Sequence, residues 1–147
     1  MRLRRPRRPQ QFRLADSAQQ TVGGFLLAGP FVVTEEVWTL AENMHVLQAL
    51  VIVAIVFGIG YAALYKADTT RDADDEQEVV GIPLRFISLM TVTFGSVTIL
   101  ALLFGAPSTF LETESTGELA ETTFKAVSVG SVFSVVGAAT ADTIFAK

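Results

Sequence analysis

The sequence predicts an all-α integral membrane protein: a four-helix bundle with both termini in the cytoplasm and a first helix kinked or broken at Gly29-Pro30. Three observations carry this prediction. Half of the 147 residues are apolar, they fall in uncharged blocks rather than at the spacing of a half-buried soluble fold, and the basic residues segregate between alternate loops. The blocks Ser17 to Thr34, Asn43 to Tyr65, Phe86 to Leu111 and Ala126 to Ala141 contain no Asp, Glu, Lys or Arg. A bilayer core of about 30 Å takes roughly 20 helical residues at about 1.5 Å each. The second and third blocks meet that length alone, whereas the first and fourth meet it only by running past their bounding charges. The expected spans are about 19–41, 44–66, 84–106 and 119–146. A closed β-barrel would need segments of about ten residues with alternating polarity, which the sequence lacks.

Ahead of the spans, Met1 to Arg13 hold six arginines interleaved with prolines. Proline prevents a helix and the like charges repel, so residues 1–15 read as a disordered cytoplasmic arm preceding a transmembrane domain of residues 16–147. Such an arm anchors topology and contacts anionic lipid headgroups at roughly 1 kcal/mol per basic residue near the surface.

The first span combines Gln19-Gln20, Gly23-Gly24, Gly29-Pro30, Glu35-Glu36 and Trp38. Pro30 has no N–H for the Leu26 carbonyl and its ring crowds that turn, which predicts the kink or break. Glu35 and Glu36 then fall roughly 22 Å beyond the inner boundary at about 1.5 Å per residue. A carboxylate isolated there costs at least ~2.5 kcal/mol, so each is expected to be neutral, paired or wet. Lys125, opening the fourth span at similar depth, is the candidate partner, with snorkelling to the surface as the alternative.

A connection of a few residues places the second span antiparallel to the first. The tyrosines Tyr61 and Tyr65 near its inner end, like Trp38 near the outer end of the first span, suit the membrane–water interface. The acidic loop from Ala67 to Ile82 is assigned inside and Pro107 to Glu121 outside. With that assignment Arg2, Arg4, Arg5, Arg7, Arg8, Arg13, Lys66, Arg71, Arg85 and Lys147 lie inside, leaving Lys125 as the outer basic residue. The acidic loop does not oppose this, because carboxylates contribute little to orientation.

In the third span Ser88, Thr91, Thr93, Ser96 and Thr98 surround the helix instead of forming one stripe. In the fourth, Ser128, Ser131, Ser134 and Gly137 recur every three residues and Gly130, Ser134, Ala138 and Asp142 every four. Small residues at that spacing allow close helix approach. Arg85 at the start of span three and Asp142 near the end of span four form a candidate inner ion pair, more naturally a docking bridge than chemistry.

The function classes that remain are few. Without cysteine there is neither a disulfide framework nor thiolate chemistry. One histidine, His45, lacks the partners of a metal site or a catalytic set, and no phosphate-binding glycine loop is present. No enzyme activity, cofactor, metal or nucleic-acid partner is expected.

The run from Arg13-Leu14-Ala15-Asp16-Ser17-Ala18-Gln19-Gln20 through Gly29-Pro30 to Thr34-Glu35-Glu36-Val37-Trp38 resembles the opening of an uncharacterised family of integral membrane proteins, domain of unknown function 2391. Tyr61-Ala62-Ala63-Leu64-Tyr65-Lys66 and Pro83-Leu84-Arg85-Phe86 are similar to the same family. The resemblance implies a multi-spanning fold and, with the acidic loops, a haloarchaeal member; it transfers no functional residue.

Two functions fit these expectations. One is a small channel or transporter-like protein of the cell membrane, acting as a homo-oligomer, with Glu35 and Glu36 lining a cation or proton pathway behind the broken helix. The other is a non-catalytic structural or interaction module whose glycines, serines and charges only hold helices together, and whose arginine arm and acidic loop bind lipid or a partner protein.

Overall fold

The computed structural model describes residues 12–65, 78–112 and 115–145. The expected disorder of the arm up to residue 11, and most of the inner acidic loop, lie outside the described residues. The elements in chain order are α1 (Leu14–Val32), α2 (Glu35–Asn43), α3 (Val46–Tyr65), β1 (Glu78–Val79), β2 (Ile82–Pro83), α4 (Leu84–Leu103), α5 (Ala106–Phe110) and α6 (Thr116–Phe145). The fold is thus almost wholly helical, and α3, α4 and α6 are each long and apolar enough to cross a membrane.

The first predicted span is two helices. Helix α1 starts at Leu14, ahead of the expected arm boundary, and stays helical through Gly29-Pro30. The break falls at Val33-Thr34 instead. Pro30 is exposed in the last turn of α1, two residues before the helix ends at Val32. What ends the helix is capping of its free carbonyls. Phe31 O accepts from Thr34 N at 3.1 Å and from Thr34 Oγ1 at 2.7 Å, while Val32 O accepts from Trp38 Nε1 at 2.8 Å. Trp38 is therefore no interface ring: it is 1% exposed and stacks on Phe110. Replacing it with phenylalanine keeps a ring but strands the Val32 carbonyl, and is expected to cost about 1–3 kcal/mol in detergent unfolding.

A compact cap opens α3: His45 Nδ1 accepts from Leu47 N at 3.3 Å and Gln48 Oε1 from His45 N at 2.7 Å. Helix α3 is peripheral, burying Ala49, Val56, Gly60 and Leu64 along one side while Leu47, Leu50, Val51, Ile55 and Phe57 stay exposed. Tyr65 is buried, whereas Tyr61 is exposed and leans on Tyr65 and Phe86. The hairpin β1–β2 turns through Val80 and Gly81, both at positive φ, the twist a two-residue turn between antiparallel strands requires.

Helix α6 is the centre of the fold and packs against α1, α2, α3 and α4. Two apolar clusters form around it. One joins Ala28, Val32, Trp38, Val97, Ala101, Ala126 and Val127; the other joins Val56, Leu64, Leu89, Met90, Val135 and Ala138. Along both α4 and α6 the residues between these clusters are hydroxyls: Thr93 and Ser96 on α4, Ser128, Ser131 and Ser134 on α6, all buried. The glycines set how closely the helices meet. Side-chain carbons added at Gly23 or Gly137 would run into the other residue's backbone carbonyl, so α1 and α6 cross in direct main-chain contact there.

Candidate functional site

Helix α1 presents Asp16, Gln20, Gly23 and Gly24 inward at i, i+4, i+7 and i+8, and turns Ala18, Val22, Leu26 and Pro30 outward. Its polarity is inside out compared with a soluble helix. The inward carboxylate meets the start of α4 and the end of α6. Arg85 donates through Nη1 to Asp142 Oδ1 at 2.7 Å and through Nη2 to Asp16 Oδ2 at 3.3 Å. Exposure is 5% for Arg85, 0% for Asp142 and 9% for Asp16, so the three charges face each other away from solvent. The planar guanidinium fork suits this task because two of its nitrogens can each serve a different carboxylate.

Local structure holds each member. Asp16 is at the third position of α1 and accepts from Arg13 N at 2.9 Å, closing the first turn as a capping carboxylate does. The Phe12 ring lies 5.5 Å from the Arg85 guanidinium carbon, within cation–π range. Deeper in, Ser88 Oγ donates to Gln20 Oε1 at 2.7 Å, and Gln20 Nε2 reaches Arg85 O at 3.5 Å, the outer limit of such a bond. Because the Ser88 proton is spent on Gln20, Ser17 Oγ is the donor in its 2.8 Å contact with Ser88 Oγ. The charged clasp thus continues into a neutral hydrogen-bond network joining α1 to α4.

Beyond it the hydroxyl belt runs up α6. Ser134 Oγ donates across to Thr93 O at 3.0 Å, while Ser131 and Ser128 donate to their own helix, at Val127 O and Phe124 O. The stripe ends at Lys125, 6% exposed and paired with Glu121 one turn back at 2.9 Å. From Asp142 to Lys125 the polar seam is about 26 Å long at 1.5 Å per residue. Of the α4 hydroxyls that seemed scattered around the helix, Ser88, Thr93 and Ser96 turn into this seam. Thr91 and Thr98 instead bond their own carbonyls, Ile87 O and Phe94 O.

The predicted outer site does not assemble. Glu35 and Glu36 are both exposed; they border an open groove of about 340 Å³ whose lining, with Thr39, Leu40 and Asn43, comes from α2 alone. Lys125 pairs with Glu121 rather than with either glutamate. The reason is the break at Val33-Thr34. It starts a new helix whose buried face is Val37, Trp38 and Ala41 and whose first turn carries the glutamates outward, where they complement the helix dipole. Gly29 faces Leu100, not a cavity. Arg85 and Asp142, by contrast, meet directly. Asp16 is the member absent from the expected site residues, and Gln20 was expected only as a polar residue of the first span, although their i, i+4 spacing in line with Gly23 and Gly24 is a legible inward stripe.

The family model described as "Putative integral membrane protein (DUF2391)" matches residues 4–144. No curated protein and no solved structure matches the chain.

Proposed function

Since the chain belongs to this DUF2391 family of integral membrane proteins, we propose that it is a small transporter-like protein that handles protons or cations through the seam between α1, α4 and α6, with Asp16 and Asp142 as its carboxylates. The observation that carries this reading is the buried Asp16–Arg85–Asp142 clasp, which continues into Gln20, Ser88 and the hydroxyl belt. Ionisable groups enclosed in a membrane bundle are expensive, and their usual return is an ion or proton route. In this reading α1 with α2 makes the fourth crossing. Its support is the inside-out polarity of α1, whose exposed Val22 and Leu26 suit lipid and whose Asp16 and Gln20 do not. Arg85 draws the first turn of α1 and the last turns of α6 to one end of the bundle, in keeping with both termini in the cytoplasm of a cell-membrane protein. The arginine arm would rest on anionic headgroups there, and a homo-oligomer would supply lining that four helices alone do not.

A second reading, a structural or interaction module, draws on the main-chain contact of Gly23 with Gly137, which closes the α1–α6 interface tightly. Flux separates the two. Liposomes holding the purified protein, under imposed proton, Na⁺ and K⁺ gradients, are expected to show flux in the wild type that falls at least about tenfold in Asp142→Asn, the loss of about 1.4 kcal/mol of barrier stabilisation or more. Glu35→Gln/Glu36→Gln is expected to conduct like the wild type. Absence of flux from folded wild-type protein decides for the module.

A further inference from the structure

One buried polar atom in the seam is unsatisfied. Thr93 is fully buried and its Oγ1 has no hydrogen-bond partner among the described residues. The neighbouring hydroxyls differ. Thr91, Thr98, Ser128 and Ser131 each donate to a carbonyl four residues back, and Ser134 donates to the Thr93 carbonyl. A hydroxyl left dry in such surroundings is destabilising, because it has given up its bonds to water without replacement, so a partner is called for.

Thr93 stands at the level where α4 and α6 change from one apolar cluster to the other, one helical turn before Ser96 on the same side of α4. Across from them α1 contributes Gly24. A side-chain carbon built there would lie 3.1 Å from both Ser134 Oγ and Ser96 Oγ, so these two hydroxyls converge on a wall that offers only glycine hydrogens. The belt at this depth contains hydroxyl groups and carbonyls but no carboxylate; the nearest carboxylate on α6, Asp142, lies eight residues beyond Ser134, about 12 Å along the helix axis. A cation would enter without charge compensation, which the membrane interior penalises. Water is neutral and needs two to four polar partners and a space of its own size.

We propose that Thr93 Oγ1 binds a single ordered water inside the three-helix seam, beside Ser96 and Ser134. The water completes the hydrogen bonding of the belt at the level of Thr93, Ser96 and Ser134. Its role in a route rests on the transport reading given above, and favours protons over larger cations at this depth, because no carboxylate of the seam reaches it. The hydration site itself does not depend on transport.

Thr93→Val, which keeps shape and removes the hydroxyl, tests the site. With the water present, the variant is expected to lower the Tm by about 2–8 °C and to abolish one water O–H stretching band in infrared difference spectra between H₂O and H₂¹⁸O; Thr93→Ser is expected to retain both. A higher Tm in Thr93→Val with an unchanged water spectrum would mean the hydroxyl was dry, and overturns the proposal. Proton flux in liposomes is read separately. Wild-type flux that falls tenfold in Thr93→Val and survives in Thr93→Ser supports the water as part of the route, whereas a wild type without flux but with the lost band and lowered Tm leaves the hydration site standing and removes the transport reading.

Discussion

Arg85→Leu is expected to destabilise the protein by about 3–5 kcal/mol, measured by reversible unfolding in mixed micelles, because it leaves Asp16 and Asp142 buried against each other without their cation. The sign follows from burial, not from the strength of the bridge. At 0% exposure Asp142 gains no water in exchange for the 2.7 Å bond to Arg85, and two carboxylates that had shared one guanidinium repel. Much of the loss should therefore be recovered when the charges are removed together. The triple variant Asp16→Asn/Arg85→Leu/Asp142→Asn is expected to lie within about 2 kcal/mol of the wild type, since a neutralised set avoids the desolvation penalty that the native set has to overcome. If the triple variant were as unstable as Arg85→Leu alone, packing of the arginine stem and not charge would be responsible.

Gly137→Leu is the second large effect. The Gly137 position faces the backbone carbonyl of Gly23 and, beside it, the Leu27 side chain; Leu27 can shift but the main chain cannot, so a side chain there must push α1 off α6. Overpacking in a core usually costs about 1–3 kcal/mol, and a rigid main-chain obstacle places this change at or above the upper end. The separation would also pull Asp16 from Arg85, coupling the two sites. The expected result is little monodisperse protein after detergent extraction. Gly58→Ala is the matched control: nothing lies within 4 Å of a carbon added there, and alanine's helix preference should leave stability unchanged or raised by up to about 1 kcal/mol.

Both predictions turn on residues whose roles were unequally legible. Arg85 and Asp142 can be paired from sequence because the charge-free blocks fix where α4 begins and α6 ends, and two opposite charges at the same depth have little else to do. Asp16 is harder to read. It opens the predicted transmembrane domain beside an arginine-rich segment, ahead of the expected span from about residue 19, and only the start of α1 at Leu14 brings it within a helix of the bundle. The glutamates were misplaced for a related reason. Extending α1 as one rod from Gln19 to Ala41 puts Glu35 and Glu36 deep in a span, but rotation about Val33-Thr34 begins a separate helix and resets which residues face inward. Proline draws the eye to residue 30. The true end depends on donors from Thr34 and Trp38, one of them a side chain eight residues beyond the proline, and such reach is not written in local pattern.

What the solvent dictates is legible in composition alone: an α-helical membrane protein, the position and length of α3, α4 and α6, and the inventory of charges near their ends. A bilayer enforces these through desolvation, which acts on each segment separately and so leaves its mark in composition. The tertiary structure decided everything that depends on helix rotation and crossing: that α6 is central, that Gly23 meets Gly137, that Asp16 joins Arg85 and Asp142, and that Thr93 keeps its hydroxyl inside the seam. In lipid, apolar and small residues satisfy either the membrane or a neighbouring helix. Their pattern alone therefore leaves the inward face undetermined until packing of main chain against main chain selects it.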